Sequence, residues 1–273
     1  MPAPTDEHGP AGILGRSLAI LELLATAPAG LPMQEVADHL GIPRSAAHRL
    51  LNGLADHGYV RQDRQRGFYG LTTKLLTLSL GHLGASGVTD AAQPVLDRLA
   101  AETGELARLA VWDGARLCWV ARAQGATTGL RYDPDMGMAA RLSASATGHA
   151  LLSCLTDAAA LALVAAQGFG AAGEVGPAAP RDAASLLPRL AAARRQGYAV
   201  AIATHADWMA AIAAPLRRRA GGGPIGTVSL AGPALRLSET RLHELAPRLL
   251  AAAAELEAVL PGSPLLIRHA EAA

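Results

Sequence analysis

Arg44, Ser45, His48, Arg49 and Asn52 recur at one-, three- and four-residue spacings and carry no acid among them. Two guanidiniums, a hydroxyl, an imidazole and a carboxamide on one surface suit the hydrogen-bonding edges of a DNA major groove. Arginine pairs bidentately with guanine O6/N7 and asparagine with adenine N6/N7, while the other groups can reach phosphate. A solvated polar face is the plain alternative, since most amphipathic helices have one. The surrounding elements decide between the two.

On a helix of about 100° per residue, Ala46, Ala47, Leu50, Leu51 and Leu54 fall on the side opposite those five residues. The helix is expected to open after Pro43, whose fixed φ suits a helix start. It is expected to run to about His57, with Gly58 as its C-terminal stop. Before it, Met33–Leu40 carries Val36, Ala37 and Leu40 at helical spacing, and Gly41-Ile42-Pro43 joins the two patterns. Tyr59-Val60 reads as a strand, Asp63–Gly67 as a turn and Phe68–Leu71 as a returning strand, a hairpin bearing Arg61, Arg64 and Arg66. Helix-turn-helix plus a basic hairpin is the winged form, in which the wing grips phosphate beside the groove. Gly41 to Lys74 holds six Arg or Lys against Asp56 and Asp63, a local excess of four in a chain of net charge +1. Such concentration is an electrostatic footprint rather than a bulk property. A first helix over Gly15–Ala27 would support the pair through Leu14, Leu18, Leu21 and Leu24, with Arg16 near its start as a further phosphate candidate. Pro28–Pro32 reads as a turn.

The 273 residues suffice for a small domain and a larger one, and 51% hydrophobic content implies that most of the chain folds. Cys118 and Cys154 form no C-x-x-C and no zinc spacing, so buried thiols in a reducing cytoplasm are expected. MPAPTDEHGP has no apolar run, which argues against a secretory signal. Leu151–Ala166 is interrupted by Ser153, Thr156 and Asp157 and is too short and polar to span a bilayer. A cytoplasmic protein with no membrane partner is expected.

Leu71–Gly87 continues with a helical period, and its leucines 75, 76, 78, 80 and 83 exceed the needs of one packing face, which suggests a second subunit. Beyond about residue 90 the texture is mixed. Helices are expected over Ala91–Thr103, Ala144–Cys154, Ala158–Ala166, Ala183–Gln196 and Ser238–Leu260, the last capped by Ser238. Leu106–Trp112 and Arg116–Arg122 flank Asp113-Gly114 and read as a β-hairpin. Thr128–Tyr132, Tyr198–Ala203, Met209–Leu216 and Ile225–Ala231 are further strand candidates, and Arg217–Gly223 is a hairpin tip. The expected fold class is α+β. Its divisions are a tail over 1–10, a winged helix-turn-helix over 11–73, a connecting helix over 74–90, an α+β domain over 91–262 and a tail over 263–273. The second domain is large enough for one core and one pocket.

Several signals point nowhere. Gly168-Phe-Gly-Ala-Ala-Gly173 matches G-x-G-x-x-G, but no strand precedes it and no helix opens on it, so it reads as a loop. His205 and Asp207 lack a G-x-S-x-G partner, and the nine histidines show no metal spacing. No catalytic residues, cofactor or metal are expected.

In this order the chain resembles the IclR family of bacterial transcriptional regulators. The residues that carry the likeness are R16-S-L-A-I-L-E-L-L24, G41-I-P-R-S-A-A-H-R-L-L51, G58-Y-V60, Y69-G-L71 and L99-A-A-E-T-G-E105, then S145-A-T-G-H-A-L-L152, G197-Y-A199, A211-I-A-A-P215 and V228-S-L-A-G-P233. The resemblance implies a homodimer or homotetramer that binds palindromic operator DNA, and a C-terminal GAF-like effector-binding domain for a small metabolite. Carried over by position, Arg44, Ser45, His48 and Arg49 read DNA, with Asn52 beside them and the wing arginines on phosphate. Ala46 stands where the family often has threonine. The effector site would be Ala146 and Thr147 at a helix start, Met209 and Ala211 on one strand, and Ser229 and Ala231 on another, with Leu130 and Tyr132 lying over it. Free N–H groups at that helix start would attract a carboxylate. Ala201–Trp208 departs from the family, which usually has an acidic run and then glycine where Trp208 stands; His149 likewise replaces a usual lysine. A modified pocket is inferred, with Trp208 beside it.

The expected function is a ligand-responsive DNA-binding transcriptional repressor, not an enzyme, whose effector is a carboxylate or an aromatic compound. Two alternatives stay open. One is a metabolite-converting enzyme with a docking N-terminal domain, and the other a constitutive DNA binder with a degenerate pocket.

Overall fold

The computed structural model describes residues 12–132, 139–171, 173–218 and 223–260. The tails expected at 1–10 and 263–273, and most of the hairpin tip after Arg218, lie outside the described residues. The chain divides between His82 and Leu83 into two compact units.

In the first unit, α1 (Gly12–Ala25), α2 (Met33–Leu40) and α3 (Arg44–Asp56) pack beside a three-stranded antiparallel sheet. The sheet is ordered β1 (Leu31–Pro32), β3 (Phe68–Leu71), β2 (Val60–Gln62). Ile20, Leu24, Val36, Leu40, Leu51, Val60 and Tyr69 form its core. Leu14 and Leu18, expected to face that core, are 73% and 51% exposed. The buried stripe of α1 is centred on Ile20 and Leu24, one turn apart, and the two earlier leucines project away from it. The turn expected at Pro28–Pro32 ends in a strand, since Leu31 and Pro32 pair with Tyr69 and Phe68. Gly30 permits this, because a Cβ there would lie 2.8 Å from the Tyr69 carbonyl oxygen.

The connecting helix expected over 74–90 stops early. Gly87, in the left-handed region at φ 64°, separates α4 (Lys74–Ser86) from α5 (Val88–Thr103). Leu76, Leu78 and Leu80 of α4 are exposed.

The second unit is built on a five-stranded antiparallel sheet ordered β5 (Leu117–Gln124), β4 (Leu106–Trp112), β8 (Pro224–Pro233), β7 (Met209–Arg217), β6 (Ala199–Ile202). One face is covered by α5 and α9 (Glu239–Val259) around Leu96, Leu109, Ile212, Leu230, Leu245 and Leu249. The other receives α6 (Ala146–Leu152) and α8 (Ala183–Gln196), with α7 (Asp157–Gln167) behind them. Alanines 199, 201, 211 and 213 of the sheet meet Ala146, Ala150 and Ala193 there. Gly148 lets α6 sit close, because a Cβ at that position would lie 2.3 Å from the Leu142 carbonyl oxygen.

Thr128–Tyr132, expected as a strand, is irregular. Its carbonyls are taken by side chains instead of a ladder. Gln124 Nε2 donates to the Tyr132 carbonyl at 2.9 Å, and Arg236 Nη1 to that of Leu130 at 2.5 Å. Cys118 and Cys154, expected buried, are half-buried free thiols. Among the described residues no helix is long and apolar enough to cross a membrane.

Candidate nucleic-acid interface and ligand pocket

The helix pair is set by its joint. Gly41 takes φ 63° and closes α2 by donating to the Asp38 carbonyl, and Pro43 precedes the first residue of α3. Ala47 and Leu51 then anchor α3 inward. Arg44, Ser45, His48, Arg49 and Asn52 are all exposed on its outer side. Asn52 Nδ2 lies 3.3 Å from Nε2 of His48, so these two side chains orient each other.

The wing tip is closed by local hydrogen bonds. Asp63 Oδ1 accepts from the backbone N–H groups of Gln65 and Arg66 at 2.8 and 2.9 Å. Those bonds, Arg66 first and then Gln65, hold the Asp63 carboxyl below its ordinary range. Gln62 Nε2 donates to the Gly67 carbonyl at 3.0 Å. Arg61, Arg64 and Arg66 are exposed around this frame. Lys74, although basic, is engaged elsewhere: its Nζ donates to the His57 carbonyl at 2.6 Å and stands 4.6 Å from the Tyr59 ring centre. It ties the start of α4 to the end of α3. Arg16 is half-buried on α1. One unit thus carries every predicted DNA contact, five on one helix face, three on one hairpin and Arg16 on α1. An open groove of about 540 Å³ beside the hairpin is bounded by Arg61 and Arg64.

In the second unit the α6 side of the sheet holds a small pocket. Of the residues expected to bind an effector, Tyr132, Ala146, Thr147, Met209 and Ala211 line it. Leu130 and Trp208 are outside the lining and largely exposed, and the Trp208 ring meets Tyr132 edge-on with centres 5.7 Å apart. Ser229 and Ala231 are buried in the sheet and do not reach the lining. Arg108, Trp119, Ser145, Thr204 and His205 also line the pocket, none of them expected from sequence.

The helix start is a weaker anion site than its composition suggests. Ser145 Oγ accepts from the Gly148 N–H at 3.0 Å, so one N–H of the first turn is already taken, and α6 has only seven residues. Charge enters the pocket from β4 instead. Arg108 is 4% exposed, and its guanidinium carbon lies 4.1 Å from the Trp119 ring centre and 5.4 Å from that of Tyr132. Burial pulls Arg108 below its ordinary basicity, while the facing Tyr132 phenol opposes that shift. His205 stands at the mouth, its ring held to the neutral side first by partial desolvation and then by Arg108 and Arg141. None of the described lining residues is acidic.

The loop after β6 is strained and pinned. Ala203 adopts φ 54°, which costs a non-glycine residue about 1 kcal/mol or more. Thr204 Oγ1 donates to the Ala144 carbonyl at 2.8 Å, and the Gly176 N–H donates to the Thr204 carbonyl. Behind the pocket, His149 is fully buried, with Nε2 2.7 Å from the Ser143 carbonyl, which fixes its proton on that nitrogen. Burial lowers its pKa to about 4.

Comparison with known proteins gives the same picture in both units. Residues 81–258 match the family described as bacterial transcriptional regulator IclR C-terminal, and residues 14–64 match the IclR helix-turn-helix domain. The chain is 31% identical to the HTH-type transcriptional regulator BhcR of Paracoccus denitrificans, over 92% of this chain and 88% of that one. It is 29% identical to the HTH-type transcriptional repressor AllR of Salmonella typhimurium, over 87% and 85%. Among solved structures, an IclR homolog of Microbacterium hydrocarbonoxydans, crystallised with 4-hydroxybenzoate, superposes with a TM-score of 0.73 at 23% identity, covering 92% of this chain and all of that one.

Proposed function

Because the chain belongs to the IclR family of bacterial transcriptional regulators, we propose that it is a repressor reading palindromic operator DNA through α3 and the wing. It is a DNA-binding transcriptional regulator. Arg44, Ser45, His48, Arg49 and Asn52 reach base edges and nearby phosphates. Arg61, Arg64 and Arg66, with Arg16, hold the backbone. The chain acts as a dimer or tetramer in the cytoplasm, and the exposed Leu76, Leu78 and Leu80 of α4 supply apolar surface for self-association. The pocket between α6 and the sheet binds a small effector, and the protein turns nothing over. Effector binding must favour one arrangement of the paired winged units over another in order to change operator affinity.

The observation that carries this reading is the exposed cluster of Arg44, Ser45, His48, Arg49 and Asn52 on the outer face of α3, with Asp56 at its far end the one acid of the helix, beside three exposed wing arginines. Fluorescence anisotropy with DNA from beside the protein's own gene, across a salt series and against random DNA, tests it. Sequence-selective binding is expected. Arg49→Ala should weaken it by about 1–3 kcal/mol and relax preference at one base if Arg49 pairs with guanine. A uniform loss with a shallower salt slope would make Arg49 a phosphate contact. No change would remove α3 from the interface.

A second reading, a constitutive DNA binder with a degenerate pocket, is favoured by one observation. The pocket's free volume is about 20 Å³, room for little more than one water. A chain whose operator affinity no small molecule alters would favour it.

A further inference from the structure

We propose that Arg108 is the anchor for the effector's carboxylate, and that the effector is a compact carboxylate with a planar body. The inference rests on reading the α6-side pocket as the effector site. It adds the residue that recognises the ligand and the ligand's charge.

Arg108 Nε and Nη1 are buried and have no hydrogen-bond partner among the described residues. Leaving guanidinium donors unpaired in an interior costs more than the average hydrogen bond contributes, and buried cations are ordinarily paired. The neighbours that Arg108 does have are the wrong kind to complete it. Trp119 covers a face of the guanidinium and the Tyr132 hydroxyl hydrogen-bonds to it, while Nε and Nη1 have no acceptor among the described residues. Ser229, directly across the ladder on β8, is itself buried with an unpartnered hydroxyl. With no acid among the described lining residues, an incoming carboxylate would be the counter-charge to Arg108. It would make charge-assisted bonds in the plane while Trp119 keeps its stacking.

The shape of the ligand follows from the walls. Trp119, Tyr132 and Met209 bound the pocket on its bulky sides, and Ala146, Ala201 and Ala211 leave width between them. The free volume of about 20 Å³ means that a ligand must take space now filled by a side chain. Tyr132 is half-buried, sits on an irregular stretch and touches Arg108, so a planar ligand body takes the place of its ring.

The test uses full-length protein with benzoate, benzamide and butanoate as probes, read by tryptophan fluorescence and thermal melting. Benzoate is expected to bind at least about tenfold more tightly than its uncharged amide, since a hydrogen bond to a charged group is worth that much or more. Butanoate should bind more weakly than benzoate. Arg108→Met should remove the preference for benzoate over benzamide, and Arg108→Lys should keep part of it. In the absence of probe, Arg108→Met should melt higher than the parent, because it replaces an unpaired buried cation by an apolar side chain of similar length. Equal binding of benzoate and benzamide, binding of neither, or a lower melting point for Arg108→Met would each overturn the assignment. The last would make Arg108 a structural strut stacked on Trp119. Operator anisotropy on the same samples separates the two levels. Loss of DNA binding by the parent protein defeats the regulator reading alone. Failure of the carboxylate with DNA binding intact defeats this inference alone.

Discussion

The two faces of the five-stranded sheet are built on opposite rules. Toward α5 and α9, β7 and β8 present Ile212, Leu216, Val228 and Leu230 to leucines of both helices. Toward α6 and α8 the same strands present Ala211, Ala213, Thr227 and Ser229. Every buried side-chain polar atom without a partner among the described residues belongs to the second face. Arg108, Trp119, Thr227 and Ser229 point there from the sheet, and His149 sits in the helix that covers it. One layer is packed for stability, and the other tolerates short side chains and unmet hydrogen bonds. Buried polar groups are normally satisfied, so their clustering on one surface marks where something other than folding set the residue types.

The largest effect that tests this contrast comes from the packed face. Ile212 is fully buried between β7 and α9. Ile212→Ala should cost the second unit about 2–5 kcal/mol, read as a shift of its urea midpoint with the slope unchanged. A loss under about 1 kcal/mol would mean that this layer can collapse around a missing side chain and is no better packed than the other.

The second effect is acid sensitivity from the polar face. The unfolded imidazole of His149 takes up a proton near its ordinary value of 6.5, and the folded one resists until about 4. Between those values the unfolded chain binds more protons, so stability rises with pH. The contribution is complete above about pH 6.5 and is lost as pH falls toward 4. At about 1.4 kcal/mol per unit, the loss is on the order of 3 kcal/mol. His149→Gln, which can still donate to Ser143, should flatten the dependence measured by urea unfolding between pH 7.5 and 4.5. Equal slopes for parent and variant would assign the acid sensitivity to other groups.

The contrast between the faces also explains what the sequence discloses. The DNA-reading unit is legible because its chemistry lies on a helix whose apolar period, Ala47 and Leu51 inward, fixes where Arg44, His48 and Arg49 must point. Elements ruled by that logic are recovered closely, α8 and the cap of α9 at Ser238 among them. The pocket obeys no such period. L-A-R-L-A-V-W reads as one strand of a hairpin, in which a lone arginine would be assigned to solvent. Yet β4 is central and covered on both faces, and an unbroken apolar run is the mark of such a strand. An arginine three residues into that run is therefore buried, and that was the available signal for Arg108. The α6 start is less open to an anion than its composition suggests, since Ser145 accepts from the Gly148 N–H. Tyr132, which only the resemblance singles out, lines the pocket although the strand expected around it does not form.

The smallest effect is the most discriminating. Ser229 is 1% exposed and its hydroxyl has no partner among the described residues, while Arg108 lies directly across the ladder on the same side of the sheet. If that hydroxyl is retained only for a ligand, its removal should leave the protein without ligand no less stable. Ser229→Ala deletes one polar atom and changes volume little. It should be neutral or stabilising by up to about 1 kcal/mol, because it ends the cost of an unpaired buried group. The same change should weaken benzoate binding if the carboxylate bridges β4 and β8. A destabilisation of more than about 1 kcal/mol would mean that the hydroxyl has a partner in the folded chain. The polar face would then be a satisfied network like any other interior, and the asymmetry between the two sides of the sheet would be one of residue size alone.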